Sequence, residues 1–253
     1  DAIDANDTRA VQPIETTITT DSDGDPGPAP IDDAQTGADA SGTCPPAEPI
    51  FVGIIKNARG LGGTPLEGGG RVACGELYRG GPLAFTNPAG CDELERVGIR
   101  TVIDLREPQE QSARPNASCV RDRTHIVSAS MPIPYAVDGP AYLRDLHTAQ
   151  AILPAFAALG DDDAYPIYFH CTYGRDRTGV LAAVILVVLG ATPDEIMREY
   201  QLTAESGLGA YPQSLSAVLS DIASRGGVDA YLADIGVPPG QVAVLRRRGI
   251  ASP

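Results

Sequence analysis

The most constraining feature of the sequence is a polar ten-residue stretch, His170 to Gly179, that lies between two apolar segments. The segment before it, Tyr165 to Phe169, is short and aromatic, which is typical of a buried strand. The segment after it, Val180 to Leu189, is an unbroken apolar run of the kind that forms a buried helix. The sequence therefore predicts a strand, a loop and a buried helix in direct succession.

The loop combines a thiol with a site for an anion. The first turn of a helix has unpaired backbone amides and the positive end of the helix dipole, and both attract phosphate. A cysteine beside the same amides is expected to be a thiolate at neutral pH, so Cys171 is the candidate nucleophile. Six residues later, Arg177 can place its planar guanidinium against two phosphoryl oxygens and stabilise the charge of a transition state.

The other residues of the loop have supporting roles in this interpretation. Gly174 allows the loop backbone to come close to a ligand, and Gly179 allows close helix packing. Thr178 can donate its hydroxyl to the Cys171 thiolate when that thiolate leaves. The predicted phosphate-binding loop consists of Thr172, Tyr173, Gly174, Arg175, Asp176, Arg177 and Thr178, with His170 in support.

This Cys-x5-Arg-Thr-Gly pattern with a preceding histidine resembles the signature of the protein tyrosine phosphatase superfamily. The resemblance implies hydrolysis of phosphate monoesters through a phosphocysteine intermediate, with no metal or other cofactor. Together with the flanking segments it implies an α/β fold, a central mixed sheet flanked by helices, with the active site at the end of the strand before Cys171. The rhodanese sulfurtransferases also hold a cysteine in an anion-binding loop, but theirs is typically shorter.

Two earlier segments are similar to those of a bacterial branch of the superfamily that has mixed protein and lipid substrates. They are Asn57 to Gly63 and Leu77 to Gly81, which depart from the branch pattern at Ala58, Gly60 and Gly80. Arg59 and Arg79 in these segments either line the pocket or form ordinary salt bridges. A strand is also predicted before them, from Phe51 to Ile55.

The same branch carries Asp-Leu-Arg at the position of Asp104 to Arg106, directly after a predicted strand from Ile99 to Leu105. The carboxyl ends of strands form the site crevice of α/β sheets. Two interpretations stay open: Asp104 or Arg106 faces the phosphate, or the two residues fix the loop by hydrogen bonds.

A phosphatase also needs a general acid, usually a carboxylate, and two aspartates are candidates. Asp138 lies 33 residues before Cys171, a spacing similar to that of the acid in dual-specificity phosphatases. Asp176 lies in the loop itself, where the bacterial branch carries Gly-Lys-Asp-Arg-Thr-Gly and where the aspartate of some members is thought to act as the acid. Arg175 replaces that lysine here. Asp176 is the slightly favoured candidate.

The predicted substrates are phosphorylated proteins, with phosphotyrosine hydrolysis of dual specificity as the first hypothesis. Phosphoinositides or inositol phosphates are the alternative, and a phosphate-binding module with little turnover is a hypothesis from another class. Three basic residues at Arg246 to Arg248 are too few to indicate nucleic acid. The sequence does not predict an oligomeric state.

Residues 1–49 have the composition of a flexible acidic linker, and residues 50–253 are predicted to form the phosphatase domain. The linker carries eleven acidic residues against Arg9, so it accounts for ten of the fourteen net negative charges. No stretch of about 18 apolar residues is present, so no membrane span is predicted. A linker of this kind suits a secreted, periplasmic or surface-tethered protein, with a cytoplasmic location as the alternative.

The five cysteines are consistent with export. If Cys171 stays reduced, the other four can pair in three ways to form two disulfides. These four are Cys44, Cys74, Cys91 and Cys119, and the sequence does not choose among the pairings. A cytosolic protein would instead keep them as thiols.

Overall fold

A computed structural model of the chain describes residues 44–132 and 149–251, and its centre is a five-stranded sheet. The strands are β1 (Arg59–Gly60), β2 (Leu77–Gly80), β3 (Thr101–Asp104), β4 (His125–Ser128) and β5 (Ile167–His170). They lie in the order β1-β2-β5-β3-β4, with β1 antiparallel to β2 and all other neighbours parallel. The predicted α/β class with a mixed sheet is confirmed.

The strand register brings three strand ends to one level. His170, the last residue of β5, lies beside Gly80 of β2 on one side and beside Asp104 of β3 on the other. Because the loop with Cys171 follows His170 directly, it leaves the sheet between these two neighbours. The loop therefore lies in the crevice outside the carboxyl ends of parallel strands, where ligands bind in open α/β sheets.

Helices surround the sheet. In the described ranges they are α1 (Pro88–Val97), α2 (Pro108–Ala113), α3 (Ser118–Arg123), α4 (Ala149–Leu159), α5 (Asp176–Leu189), α6 (Pro193–Gln201), α7 (Pro212–Ser224), α8 (Val228–Asp234) and α9 (Pro239–Gly249). The predicted helix from Val180 is the buried α5, and the side chain of Asn87 caps α1 by accepting from the amide of Gly90.

Alternating side chains of β5 divide the core into two clusters. Ile167 and Phe169 pack in the larger cluster with the apolar side chains of α5. Tyr168 points the other way, into a second cluster with Phe51 and Leu94. The period-2 alternation of a strand that is buried on both faces explains why β5 is apolar along its whole length. Each face contributes to holding the start of the loop that contains Cys171.

The prediction of a strand from Phe51 to Ile55 is wrong, because this segment forms a turn. Phe51 has a φ of 51° and Gly53 a φ of 73°, which is incompatible with an extended strand. The amides of Ile54 and Ile55 both donate to the carbonyl of Phe51 at 2.9 and 3.0 Å. The apolar side chains of the segment reflect packing against the second core cluster, not strand pairing.

Two disulfides are present, Cys44–Cys74 and Cys91–Cys119, which is one of the three pairings that the sequence allows. Cys44 is buried and lies within the stretch predicted to be a linker. Its bond to Cys74 holds the end of that stretch on the folded domain. Residues 1–43 lie outside the described residues. No helix in the described ranges has the length and apolar character needed to cross a membrane.

Candidate active site

Cys171 lies immediately after β5 and five residues before the start of α5. It is buried, with 3 % of its surface exposed, and it is the one cysteine of the five that forms no disulfide. The first turn of α5 provides the unpaired amides that any helix leaves at its N-terminus. The sulfur and an anion-binding helix end are therefore together, as the sequence predicts.

Arg177 is directed back across the loop by an acid that the sequence analysis missed. Its guanidinium donates to the Glu110 carboxylate through Nη1 at 2.5 Å and through Nη2 at 2.9 Å. Thr172 also donates its hydroxyl to Glu110 and accepts from Nη2 of Arg177 at 3.0 Å. Because Thr172 directly follows Cys171, these bonds hold the guanidinium next to the candidate nucleophile.

Helix α2 explains the position of Glu110. The Glu110 carboxylate accepts from the amide of Glu107 at 2.9 Å, forming the capping box at the start of this short helix. The sequence signal was the acid three residues after Glu107, which is the spacing of a capping box. Nothing in that spacing pointed to a partner 67 residues away.

Glu110 and Arg177 hold each other in their charged forms. Burial alone would raise the pKa of Glu110, but hydrogen bonds from Arg177, Thr172 and the backbone of Glu107 lower it to about 2. Burial alone would lower the pKa of Arg177, but its bond to Glu110 and the neighbouring Cys171 raise it instead. Glu110 is therefore ionised at neutral pH and cannot act as a general acid.

The side chains of Asn57 and Arg79 hold the middle of the predicted phosphate-binding loop through a backbone carbonyl. The carbonyl of Gly174 accepts from Nδ2 of Asn57 at 2.7 Å and from Nη2 of Arg79 at 2.6 Å. Gly174 has a φ of 66°, and a Cβ atom there would lie 2.7 Å from the amide nitrogen of Gly81. The close approach that Gly174 permits is between its own backbone and that of Gly80 and Gly81.

Arg59 and Arg79 are committed to a buried acid, Glu199 of α6. Arg59 donates from Nε to Glu199 at 2.8 Å, and Arg79 donates from Nη1 to the other carboxylate oxygen at 2.8 Å. Burial, opposed by Glu199 and reinforced by the charge of Arg79, lowers the pKa of Arg59 to about 10. Of the two open interpretations, the salt-bridged one describes both arginines. Through Arg79, Glu199 also positions the catalytic loop.

Asp104 and Arg106 form a buried pair behind the loop. Arg106 donates from Nη2 to Asp104 at 2.6 Å and from Nη1 to the carbonyl of Arg114 at 2.7 Å. Nδ1 of His170 lies 3.2 Å from the carbonyl of Cys171, and its Nε2 lies 3.7 Å from Asp104. Burial lowers the pKa of His170, against the opposing charge of Asp104. These contacts agree with the interpretation in which Asp104 and Arg106 fix the loop by hydrogen bonds.

The second half of the loop faces a different set of partners. Arg175 donates from Nε to both oxygens of Asp176 at 3.0 Å and from Nη1 to the carbonyl of Leu208 at 2.9 Å. Its guanidinium also stacks 4.8 Å from the ring centre of Tyr211. Burial raises the pKa of Asp176, although Arg175 opposes the shift. Tyr173 is 58 % exposed, so its side chain points away from the core.

One predicted contact, from Thr178 to the Cys171 sulfur, is not found. The hydroxyl of Thr178 is fully buried and has no hydrogen-bond partner among the described residues, so its predicted bond to the Cys171 sulfur is not formed in this structure. Asp138 lies outside the described residues.

Gly179 does allow close helix packing, because a Cβ atom there would lie 2.7 Å from the Tyr200 ring of α6. Within the described ranges, no group of three His, Cys, Asp or Glu side chains is placed to hold a metal ion.

Substitution of Gly174 by alanine is expected to lower the free energy of unfolding by about 2 to 4 kcal/mol, because it adds backbone strain and a clash with Gly81. Gly236→Ala is the matched control, since Gly236 also has a positive φ, 89°, but has no atom within 4 Å of the position that a Cβ would take. The control should lose about 1 to 2 kcal/mol. Chemical denaturation measures both, and equal losses would contradict the tight backbone contact.

Sequence comparisons relate the chain to known proteins. The family model described as "Tyrosine phosphatase family" matches residues 52–251. A Cupriavidus necator protein that is assigned by name to the tyrosine-protein phosphatases is 30 % identical over 226 residues, which cover 71 % of this chain and 81 % of that protein. A tyrosine-protein phosphatase of Nostoc commune is 25 % identical over 254 residues, which cover 83 % of each chain.

Solved structures give weaker likenesses. The core catalytic domain of the PP-IP phosphatase SIW14 from S. cerevisiae has a TM-score of 0.41 and 16 % identity, covering 63 % of this chain and 89 % of that chain. P. aeruginosa TpbA has a TM-score of 0.40 and 20 % identity, covering 66 % and 89 %. The family model spans most of the chain, including both sides of the Cys171 loop. The chain therefore belongs to the tyrosine phosphatase family.

Proposed function

We propose that the protein hydrolyses phosphotyrosine in proteins through a phosphocysteine on Cys171. The observation that carries the proposal is a free, buried cysteine in the loop before α5, directly followed by Thr172, whose hydroxyl accepts from the Arg177 guanidinium. The thiolate attacks phosphorus, a P–S bond forms and the P–O bond to the leaving group breaks. Water then attacks phosphorus, the P–S bond breaks, and phosphate and the thiolate are released.

Arg177 stabilises the charge that develops on the phosphoryl oxygens in both steps. Glu110 positions it, because the carboxylate binds two guanidinium nitrogens at once and keeps the planar group in one orientation. Thr172 closes this cluster through its hydroxyl. Because these three side chains already hold one another in place, little reorganisation is needed when the substrate binds.

The leaving oxygen needs a proton, and Asp176 is the proposed donor. Burial raises the pKa of its carboxyl, which favours the protonated form that an acid must have. Asp176 is also the first residue of α5, close in sequence to both Cys171 and Arg177. The same residue then accepts a proton from the attacking water. Asp138 is the competing candidate.

Asp176→Asn is expected to lower kcat by about 100- to 1,000-fold for alkyl phosphates and much less for an activated aryl phosphate, whose leaving group needs no proton. Arg175→Gln is the control, because it removes the ion partner but keeps the carboxylate. Steady-state kinetics with both substrate types measures the effect. If Asp176→Asn retains its activity while Asp138→Asn loses it, the acid is Asp138.

Three arginines around the loop support the choice of a phosphotyrosine substrate over a phosphoinositide. A polyphosphorylated ring needs additional cationic contacts beside Arg177. Arg59 and Arg79 are buried against Glu199, and Arg175 is bound to Asp176, Leu208 and Tyr211. These three arginines are therefore not available to bind further phosphate groups.

We also propose that the protein works in an oxidising environment outside the cytoplasm. The two disulfides support this location, because such bonds persist in secreted, periplasmic and surface proteins and are rare in reducing compartments. The acidic composition of residues 1–43 suits a tether or spacer.

A substrate panel with a metal chelator present tests the proposed function. It contains an activated aryl phosphate, phosphotyrosine and phosphoserine peptides, inositol phosphates and phosphoinositides. The highest kcat/KM among the biological substrates is expected for a phosphotyrosine peptide. A phosphoinositide with the highest kcat/KM would contradict the proposed phosphotyrosine substrate. Binding of vanadate with no turnover of any member would show that the protein is a phosphate-binding module and not an enzyme.

A further inference from the structure

A cavity with a volume of about 320 Å³ opens beside the loop that contains Cys171. Thr172 and Tyr173 of the loop line it together with Ile54, Ile55 and Phe85. Tyr173 is 58 % exposed and Phe85 is 59 % exposed. Large aromatic side chains are usually more buried than this. An apolar recess of this size with exposed aromatic rings is typical of a ligand site.

The wall is built from segments with firm backbone support. The turn that contains Ile54 and Ile55 is closed by their amides, which donate to the Phe51 carbonyl, and the carbonyl of Lys56 accepts from the amide of Gly81 at 3.0 Å. Leu208 completes the wall, and its carbonyl is bound by Arg175 of the catalytic loop at 2.9 Å. The cavity is thus fixed relative to Cys171 without depending on a ligand.

The rim of this cavity is positively charged. Lys56 and Arg114 both line it, and within the described part of the chain neither has an acidic side chain in salt-bridge range. The described lining contains no Asp or Glu. Lys56 is the single lysine of the 253-residue sequence, and Arg114 stacks 5.7 Å from the ring centre of Phe85. The lining of the cavity therefore combines apolar side chains with two cations, Lys56 and Arg114, that are free to bind a ligand.

We infer that this cavity is a substrate subsite for phosphotyrosine peptides with acidic residues next to the phosphotyrosine. The inference rests on the proposed function, because it assumes that the phosphate is bound in the loop of Cys171. Aromatic and aliphatic surfaces such as Phe85 and Ile54 suit a planar tyrosine ring or an apolar neighbour. Lys56 and Arg114 then attract the carboxylates on either side of it.

The same walls disfavour an inositol ring. Hydroxyl groups placed against Ile54, Pro82 and Leu208 would lose their hydrogen bonds to water without gaining protein partners, which costs free energy. A phosphoinositide would use the two cations but not the apolar side chains. The combination of both features in one cavity selects the acidic peptide.

The experiment compares two phosphotyrosine peptides that differ only in the flanking residues, glutamate in one and lysine in the other. We expect the wild-type protein to prefer the glutamate peptide in kcat/KM by about 5- to 30-fold, the effect of two partly exposed ion pairs. In Lys56→Glu/Arg114→Glu the preference is lost or reversed. Arg247→Glu, a charge reversal at a residue paired with Asp162 outside this cavity, keeps the wild-type preference. Raising the salt concentration reduces the preference, because partly exposed charges are screened.

The outcomes separate this inference from the proposed function. Hydrolysis of an activated aryl phosphate by the wild-type protein shows that the catalytic site works, and its absence would overturn the proposed function itself. With that activity present, equal kcat/KM for the two peptides, or a preference that survives the double charge reversal, overturns the subsite. A phosphoinositide that exceeds the glutamate peptide and is lost in the double variant overturns the peptide as the occupant. Both substitutions leave the backbone bonds of Lys56 and Arg114 in place, and thermal unfolding checks that the double variant is folded.

Discussion

The Cys171→Ser variant is expected to hydrolyse an activated aryl phosphate at least about 10⁴-fold more slowly than the wild-type protein. The serine hydroxyl is not ionised at neutral pH, so the group that forms the bond to phosphorus is lost. The substitution replaces sulfur by oxygen in a buried position and leaves Arg177 and Glu110 in place. Initial rates with the aryl phosphate measure the loss.

The variant should still bind the anion. Vanadate or inorganic phosphate is expected to bind Cys171→Ser, because the helix end and the guanidinium that recognise an anion are unchanged. Calorimetry checks this binding. A variant that keeps more than about one hundredth of the wild-type rate would contradict the role of Cys171 as the nucleophile.

Replacement of Arg177 by lysine is expected to lower kcat by about 10³-fold, although the charge is conserved. A lysine ammonium cannot bind two Glu110 oxygens and two phosphoryl oxygens with one planar group. The Glu110 carboxylate, whose pKa is lowered to about 2 largely by Arg177, would also lose its bidentate partner. Steady-state kinetics on the aryl phosphate measures the change in kcat.

Arg247→Lys is the matched control for this substitution. Arg247 is 58 % exposed and pairs with Asp162 on the surface, so its replacement should leave kcat unchanged. Similar kcat values for Arg177→Lys and the wild-type protein would show that charge alone is sufficient at this position. The planar geometry that Glu110 imposes would then have no catalytic role.

Local sequence patterns predicted the centre of this fold because they reflect local physics. The apolar run from Val180 to Leu189 is buried as α5, and the aromatic segment before His170 is the central strand β5. The loop between them is short and its composition is distinctive, so the sequence alone was enough to place Cys171 and Arg177 in it. The caps of α1, Asn87 at its start and the left-handed Gly98 at its end, follow equally local rules.

The residues that sequence reasoning missed act over long separations. Glu110 reaches Arg177 across 67 positions, and Glu199 reaches Arg79 across 120. A single acid in a polar helix carries no local sign of such a partner. The turn at Phe51 was missed for a related reason: its apolar side chains pack against the core, as those of a strand would, and the backbone at Phe51 and Gly53 is left-handed.

The most direct test of the account is a search for the phosphocysteine itself. Wild-type protein is mixed with an activated aryl phosphate, quenched in acid within the first turnover and analysed by mass spectrometry of the intact chain and of its peptides. The account predicts one added phosphoryl group on the peptide that contains Cys171, and none in Cys171→Ser. Turnover without this adduct, or an adduct on another residue, would contradict it.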